Sequence, residues 1–200
     1  MDQTEPPLAS TTRTFATTKG ELNYMELSDY IAPNLLHLLD DIAQGKYSDR
    51  LFDEELIKKF HYEIIKDIMP EIAGKWRKVR VQVGNWIPPE PYEVPALMRE
   101  YVANMKARLE SSGSLELQIE TLAYAEGEFL HIHPFQDFNG RTIRTVLLEL
   151  MIRFNLPPVD TSVSRKSLRF KQYQNALAEY DNGRIASLVE FWKSRFIEEI

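Results

Sequence analysis

Between His133 and Arg144 the chain reads His-Pro-Phe-Gln-Asp-Phe-Asn-Gly-Arg-Thr-Ile-Arg. This short stretch holds a base, a hard oxygen ligand, a glycine and two arginines. An imidazole such as His133 accepts a proton near neutral pH. Asp137 offers carboxylate oxygens suited to Mg²⁺ already bound to phosphates. Gly140 lets backbone and anion approach closely. Arg141 and Arg144, three apart on a helix, are near neighbours and can clamp phosphate oxygens. The stretch also runs into the start of an apolar helix, where unpaired N–H groups and the positive end of the dipole favour phosphate. Base, metal ligand, anion cradle and arginine clamp are the parts of phosphoryl or nucleotidyl transfer.

Simpler readings of the same residues compete. Asp137-x-Asn139-Gly140 suits an ordinary turn, but a turn does not ask for two following arginines. It is not an EF-hand, because the ligand spacing and closing Glu are missing. Arg141 and Arg144 can make surface ion pairs. In the first turns of a helix, however, their charge opposes the dipole, which favours an anionic ligand. His131 and His133 diverge near a helix end with no third His or Cys nearby in the sequence, so His131 reads as an ordinary residue.

The surrounding sequence predicts helices that hold this loop. Met1 to Thr17 reads as a flexible tail, with 18–200 as one domain. Thr18-x-x-Glu21 has the pattern of a capping box opening a helix through about Ala43. A second helix is expected over about Asp53 to Met69, with Leu56, Ile57, Phe60, Ile64 and Ile68 at helical spacing. Val79, Val81 and Val83 alternate with Arg80 and Gln82, the period of a strand. Gly84-Asn85 suits a tight turn, so a short hairpin is expected here, stopped by Pro88-Pro89. Helices follow at about Tyr92–Leu109 and Leu115–Ile132. After the loop, Ile143, Val146, Leu147, Leu150, Met151 and Phe154 form an uninterrupted apolar stripe, the mark of a central helix. Pro157-Pro158 ends it, and two further helices are expected near Ser164–Tyr180 and Arg184–Ile197. The expected fold is all-α with one β-hairpin.

The 200 residues suffice for one compact domain, and 44% apolar with 27% charged residues is an ordinary globular mixture. A formal net charge of −6 argues against a sequence-independent nucleic-acid partner. The absence of cysteine excludes disulfides and thiolate metal sites. No apolar run approaches a membrane span and no secretory apolar core is visible near Met1, so the expected address is the cytoplasm.

The loop resembles the signature of the Fic family (filamentation induced by cyclic AMP), H-P-F-x-[D/E]-G-N-G-R-x-x-R. His133, Pro134, Phe135, Asp137, Asn139, Gly140, Arg141 and Arg144 match it. Phe138 stands where the pattern has Gly; it either strains the backbone there or shapes the nucleotide pocket. Gly74-Lys75-Trp76-Arg77 with the Val-rich segment is similar to the family's target-docking flap. The resemblance covers roughly 53–197. It implies transfer of AMP from ATP to a Ser, Thr or Tyr hydroxyl of a target protein, with release of pyrophosphate. In that case His133 is the general base and Phe135 anchors the loop. Asp137 holds Mg²⁺ across the α- and β-phosphates. Asn139 and the Gly140 N–H bind phosphate oxygens, Arg141 neutralises the leaving pyrophosphate, and Arg144 reaches the γ-phosphate. Val79 to Val83 dock the target. Transfer of another nucleotide or of a phosphoryl group remains an alternative, as does a protein-binding module that has lost catalysis. A kinase-like branch of the superfamily carries Lys where Gly140 stands, which favours nucleotide transfer here. The inhibitory pattern [S/T]-x-x-x-E-[G/N] is completed neither by Thr17-x-x-x-Glu21 nor by Ser194-x-x-x-Glu198, which leaves a separate inhibitory protein as the possible control.

Overall fold

A computed structural model describes residues 13–164 and 166–197. Among these, two short strands precede seven helices: β1 (Thr14–Thr17), β2 (Gly20–Asn23), α1 (Tyr24–Ala43), α2 (Glu54–Ile65), α3 (Val94–Ser111), α4 (Leu115–Ile132), α5 (Asn139–Arg153), α6 (Leu168–Asp181) and α7 (Ala186–Ile197). The fold is all-α with one paired hairpin, as the sequence predicts, but the hairpin lies elsewhere.

The first 12 residues of the expected tail lie outside the described residues. Thr14 to Thr17, also assigned to that tail, form β1 and pair antiparallel with β2, Thr14 opposite Asn23 and Thr17 opposite Gly20. Gly20 takes φ 95°, a left-handed conformation open to glycine, which lets the chain reverse. The Thr18 capping box is therefore not formed. The box forms at Asn23, whose side chain accepts from the N–H of Met25 and Glu26, while Glu26 accepts from the Asn23 N–H. Both sites match the sequence pattern; burial of the cross-strand pair Phe15 and Leu22 under the hairpin selects the later one.

Asp53 and Ser114 cap α2 and α4 through their side chains. Helix α5 packs against α1, α2 and α4, and α4 also meets α3, α6 and α7. The apolar stripe of α5 explains its place: Ile143, Val146, Leu147, Leu150 and Met151 are all buried. Each contributes roughly 1.5–3 kcal/mol by leaving water. Glu149, fully buried on the same helix, is paired with Arg153 at 2.9 Å. At the far end Asn155 turns left-handed before Pro157 and ends the helix.

The hairpin expected at Val79–Ile87 reduces to a single antiparallel bridge, Val83 opposite Trp86, around the Gly84-Asn85 turn. Val79 to Gln82 form no strand. A lone two-strand ribbon is marginal without a sheet or helix to pack on, and Val79 and Val83 remain 46% and 40% exposed. Side chains hold the segment instead. Trp86 Nε1 donates to the His131 carbonyl at 3.1 Å, and its ring lies 4.5 Å from the His131 ring.

Gly127 sits where α4 meets α6. A Cβ there would lie 2.5 Å from the Tyr180 ring. Tyr180 is itself held by a bond to Glu128 at 2.9 Å, so it cannot yield freely. Gly127→Ala is expected to destabilise the protein by about 1–3 kcal/mol, despite alanine's better helix propensity. Urea unfolding followed by circular dichroism checks this; an unchanged or raised midpoint would refute the close packing.

Candidate functional site

The site is built in the turn from α4 to α5. Helix α4 leaves carbonyls without intrahelical partners at its end. The buried Arg77 fills that need: Nε donates to the His133 carbonyl at 2.8 Å and Nη2 to Ile132 at 3.3 Å. The same guanidinium donates to Pro89 at 2.5 Å and Val79 at 3.2 Å, and the Arg77 N–H donates to the Pro134 carbonyl at 2.9 Å. One side chain therefore ties the loop to both ends of the Val-rich segment.

Phe135 is fully buried, its ring stacked on His61 at 3.8 Å and 4.8 Å from Trp76. His61 Nδ1 accepts the Gly74 N–H at 2.9 Å, so in the neutral ring the proton sits on Nε2, which donates to the Asp137 carbonyl at 3.2 Å. Asn139 is buried too: Oδ1 accepts from the Phe135 N–H at 2.9 Å and Nδ2 donates to the Phe135 carbonyl at 2.8 Å. In this arrangement its amide braces the loop, and a phosphate contact through that side chain would have to replace one of these bonds.

His133 follows α4 in a left-handed conformation, φ 51°. Its Nδ1 lies 3.3 Å from the Leu130 carbonyl. A carbonyl only accepts, so this bond places the proton on Nδ1 and leaves the Nε2 lone pair free to take another. Burial, with Arg77 adding repulsion, lowers the imidazole pKa to about 4, so the ring is neutral at physiological pH.

Phe138, where the sequence pattern has Gly, also lies in the left-handed region, φ 62° and ψ 13°. That conformation costs a non-glycine residue roughly 1–2 kcal/mol. The ring is half-buried against Phe15 of β1, centroids 6.3 Å apart, with the Arg141 guanidinium 5.4 Å above it. Packing under the N-terminal hairpin offsets the backbone cost.

Gly140 opens α5. A Cβ added there would meet only Arg144 Nη2, at 3.9 Å, so space beside its backbone is open. Arg141 donates to Ser28 Oγ at 2.8 Å and lies over the Tyr24 ring, while Arg144 Nε donates to the Gly140 carbonyl at 2.8 Å. The two arginines line one cavity of about 280 Å³, with Thr145 and Asp160 on its wall. Burial lowers the Arg141 pKa; a cation held dry without a carboxylate invites an anion. Among the described residues, neither arginine forms an ion pair with an acidic side chain.

Asp137 opens to a different cavity, beside β1. Its carboxylate is 12% exposed and pairs with Arg13 at 2.9 Å. Burial raises the Asp137 pKa more than Arg13 lowers it. Among the described residues no cluster of three or more metal-ligating side chains exists, so Asp137 is a single donor. The loop thus holds every residue of the motif in place. His61, Arg77 and Arg13 are contributors that motif reading misses, because they lie 56 to 124 positions away from their partners. The inhibitory candidate Ser194-x-x-x-Glu198 ends outside the described residues.

Residues 51–151 match the family profile described as the Fic/DOC family. The chain is 32% identical over 135 residues to the protein adenylyltransferase Fic of Drosophila persimilis, a match spanning 68% of this chain and 25% of that protein. The match thus covers only about a quarter of the relative's length. Among solved structures, the BepC effector of Bartonella tribocorum, with bound AMPPNP, superposes with a TM-score of 0.71 at 15% identity, covering 94% of this chain and 93% of that one. A Fic domain containing signaling protein of Bacteroides thetaiotaomicron gives 0.70 at 20% identity, covering 90% and 74%.

Burial also lowers the His61 pKa to about 4, as it does that of His133. Both imidazoles therefore bind fewer protons folded than unfolded, so their contribution is full above about pH 6.5 and is lost as the pH falls towards 4. Between pH 7 and 5, above most carboxylate titration, stability is expected to drop by about 2 kcal/mol for each ring. Urea unfolding across this range checks it, and His61→Gln should flatten the slope. A pH-independent midpoint, or the same slope in the variant, would contradict the assigned neutral rings.

Proposed function

The chain belongs to the Fic/DOC family, and on that premise we propose that it transfers AMP from ATP to a Ser, Thr or Tyr hydroxyl of a target protein. The observation that carries this reading is a neutral base at one end of the loop and an open anion cradle at the other. Nε2 of His133 takes the proton of the acceptor hydroxyl. The oxygen forms a bond to the α-phosphorus, the bond from that phosphorus to the bridging oxygen breaks, and pyrophosphate leaves with the electron pair. The N–H groups at the start of α5, around Gly140, receive phosphate oxygens together with the helix dipole. Arg141 balances charge on the departing pyrophosphate, and Arg144, sharing its cavity, fixes the γ-phosphate. Most of the acceleration comes from positioning and charge stabilisation.

The donor chemistry fits Mg²⁺ as part of a Mg·ATP substrate, an ion that keeps most of its ligands from phosphate and water and would take one carboxylate from Asp137; that carboxylate faces the cavity beside β1 and would have to turn towards the start of α5. When bound, the ion draws charge from the phosphate oxygens. Arg13 must release Asp137 for that role. Phe138 shapes the cradle from below Arg141. Asn139 serves it by bracing the loop. Val79, Arg80, Val81, Gln82 and Val83 form no strand beyond the Val83–Trp86 bridge; their remaining main-chain groups face a target loop, and strand addition there holds the acceptor without a side-chain pocket. No helix among the described residues is long and apolar enough to cross a membrane.

His133→Ala is the test. The residue is loop-borne, so the fold should persist, and Mg·ATP binding by calorimetry should stay within about threefold, because the phosphates are held elsewhere. AMP incorporation into lysate proteins, read by mass spectrometry, should fall by at least about a hundredfold. Undiminished incorporation would remove His133 as the base.

A further inference from the structure

Outside the loop, a groove of about 950 Å³ runs along Gly74 to Arg80 and is bordered on its far side by Glu90 to Pro95. Its lining reverses the character of the chain. The protein carries a formal charge of −6, yet the groove is lined by five basic side chains and one acidic one. The acid, Glu90, is already neutralised, since Arg80 grips both its oxygens at 2.8 and 2.7 Å. Lys58 pairs with Glu55 at 2.9 Å and stands 5.0 Å over the Trp76 ring. Arg77 is spent on the loop carbonyls. Lys75 and Lys78 are exposed, and among the described residues neither forms an ion pair; Lys75 meets only the Glu71 carbonyl, at 3.1 Å. Tyr92, 79% exposed, supplies an apolar face beside them.

We propose that this groove docks an acidic extended segment of a protein partner, with its carboxylates on Lys75 and Lys78 and an apolar side chain on Tyr92. Three features favour a peptide over another polyanion. The groove takes in Arg80 of the Val79–Val83 segment, so a chain paired along that segment would run on over Lys78 and Lys75. Its wall, Arg77, is bonded to His133 and Pro134, which sets a fixed separation between a docked segment and the base. A nucleic acid would need a longer basic track and a succession of stacking rings, whereas this groove offers Tyr92 alone, Trp76 being packed against Phe135 and Lys58. The inference rests on the AMP-transfer reading for the partner's role as target: it makes acidic residues flanking the acceptor hydroxyl the mark of a good substrate. Field complementarity of this kind acts first on association rate and choice of partner.

The test uses the whole chain and fluorescence anisotropy with a labelled Glu-rich peptide containing a Thr and a Tyr, its Gln-substituted counterpart, and a single-stranded oligonucleotide. The acidic peptide should bind about tenfold more tightly than the Gln peptide and should lose about tenfold on Lys75→Glu with Lys78→Glu, the scale of two exposed ion pairs replaced by repulsion. Mg·ATP binding should not change in that variant, because both residues lie outside the phosphate cradle. Equal binding of the two peptides, undiminished binding by the variant, or tighter binding of the oligonucleotide overturns the proposal. AMP incorporation by the wild-type protein is scored separately. Peptide binding as expected without any incorporation leaves the groove standing and sinks the transfer reading, and incorporation without selective acidic-peptide binding does the reverse.

Discussion

Everything in the site depends on reversing the chain between Ile132 and Asn139 with a six-residue turn. Two of those six, His133 and Phe138, take left-handed conformations without being glycine. At roughly 1–2 kcal/mol each, they persist only because the surroundings fix them. Arg77 holds the entrance, Asn139 closes Phe135 onto the start of α5, and the His61 ring braces both Phe135 and the Asp137 backbone. The turn is therefore a rigid part rather than a mobile loop. Rigidity is what catalysis by positioning requires, and the proposed base and phosphate donors come from opposite ends of this one short segment.

The electrostatics follow from the same burial. His133 and His61 are kept neutral, the first ready to accept a proton and the second serving as a hydrogen-bonded strut. Positive charge collects at the start of α5, where Arg141 and Arg144 oppose the helix dipole. Such an arrangement is costly without an anion and favourable with one. Asp137 is the counterpart: a mostly buried carboxylate that meets a cation in Arg13. The N-terminal hairpin thus touches the site twice, through Arg13 on Asp137 and Phe15 on Phe138.

Much of this was legible in the sequence. The motif carries its own spacing, so the order of base, carboxylate, glycine and arginines could be read directly, and the apolar stripe of α5 marked the helix that sits among α1, α2 and α4. What was hidden has a common cause. His61 and Arg77 act on backbone atoms of the turn, and a backbone acceptor leaves no complementary residue to pair with in a sequence. The start of α1 is ambiguous in the sequence because Thr18 and Asn23 both begin plausible capping boxes, and the burial of Phe15 against Leu22 decides between them. The Val-rich segment kept its turn at Gly84 but not its strands, since alternation describes which side chains can share a face and says nothing about a partner strand. Phe138 departs visibly from the motif; that it is left-handed and packed against Phe15 is a property of the fold.

On the proposed function, this turn passes on the α-phosphoryl group of ATP together with its nucleoside, and not the γ-phosphoryl group. Incubating the protein and a cell lysate with ATP labelled either at the α- or at the γ-phosphorus decides it most directly. The account predicts that label from the α-position becomes covalently attached to protein and that label from the γ-position leaves with pyrophosphate. Protein-dependent attachment of the γ-label, above that in the same lysate without the protein, or protein-dependent attachment of neither label, would contradict it.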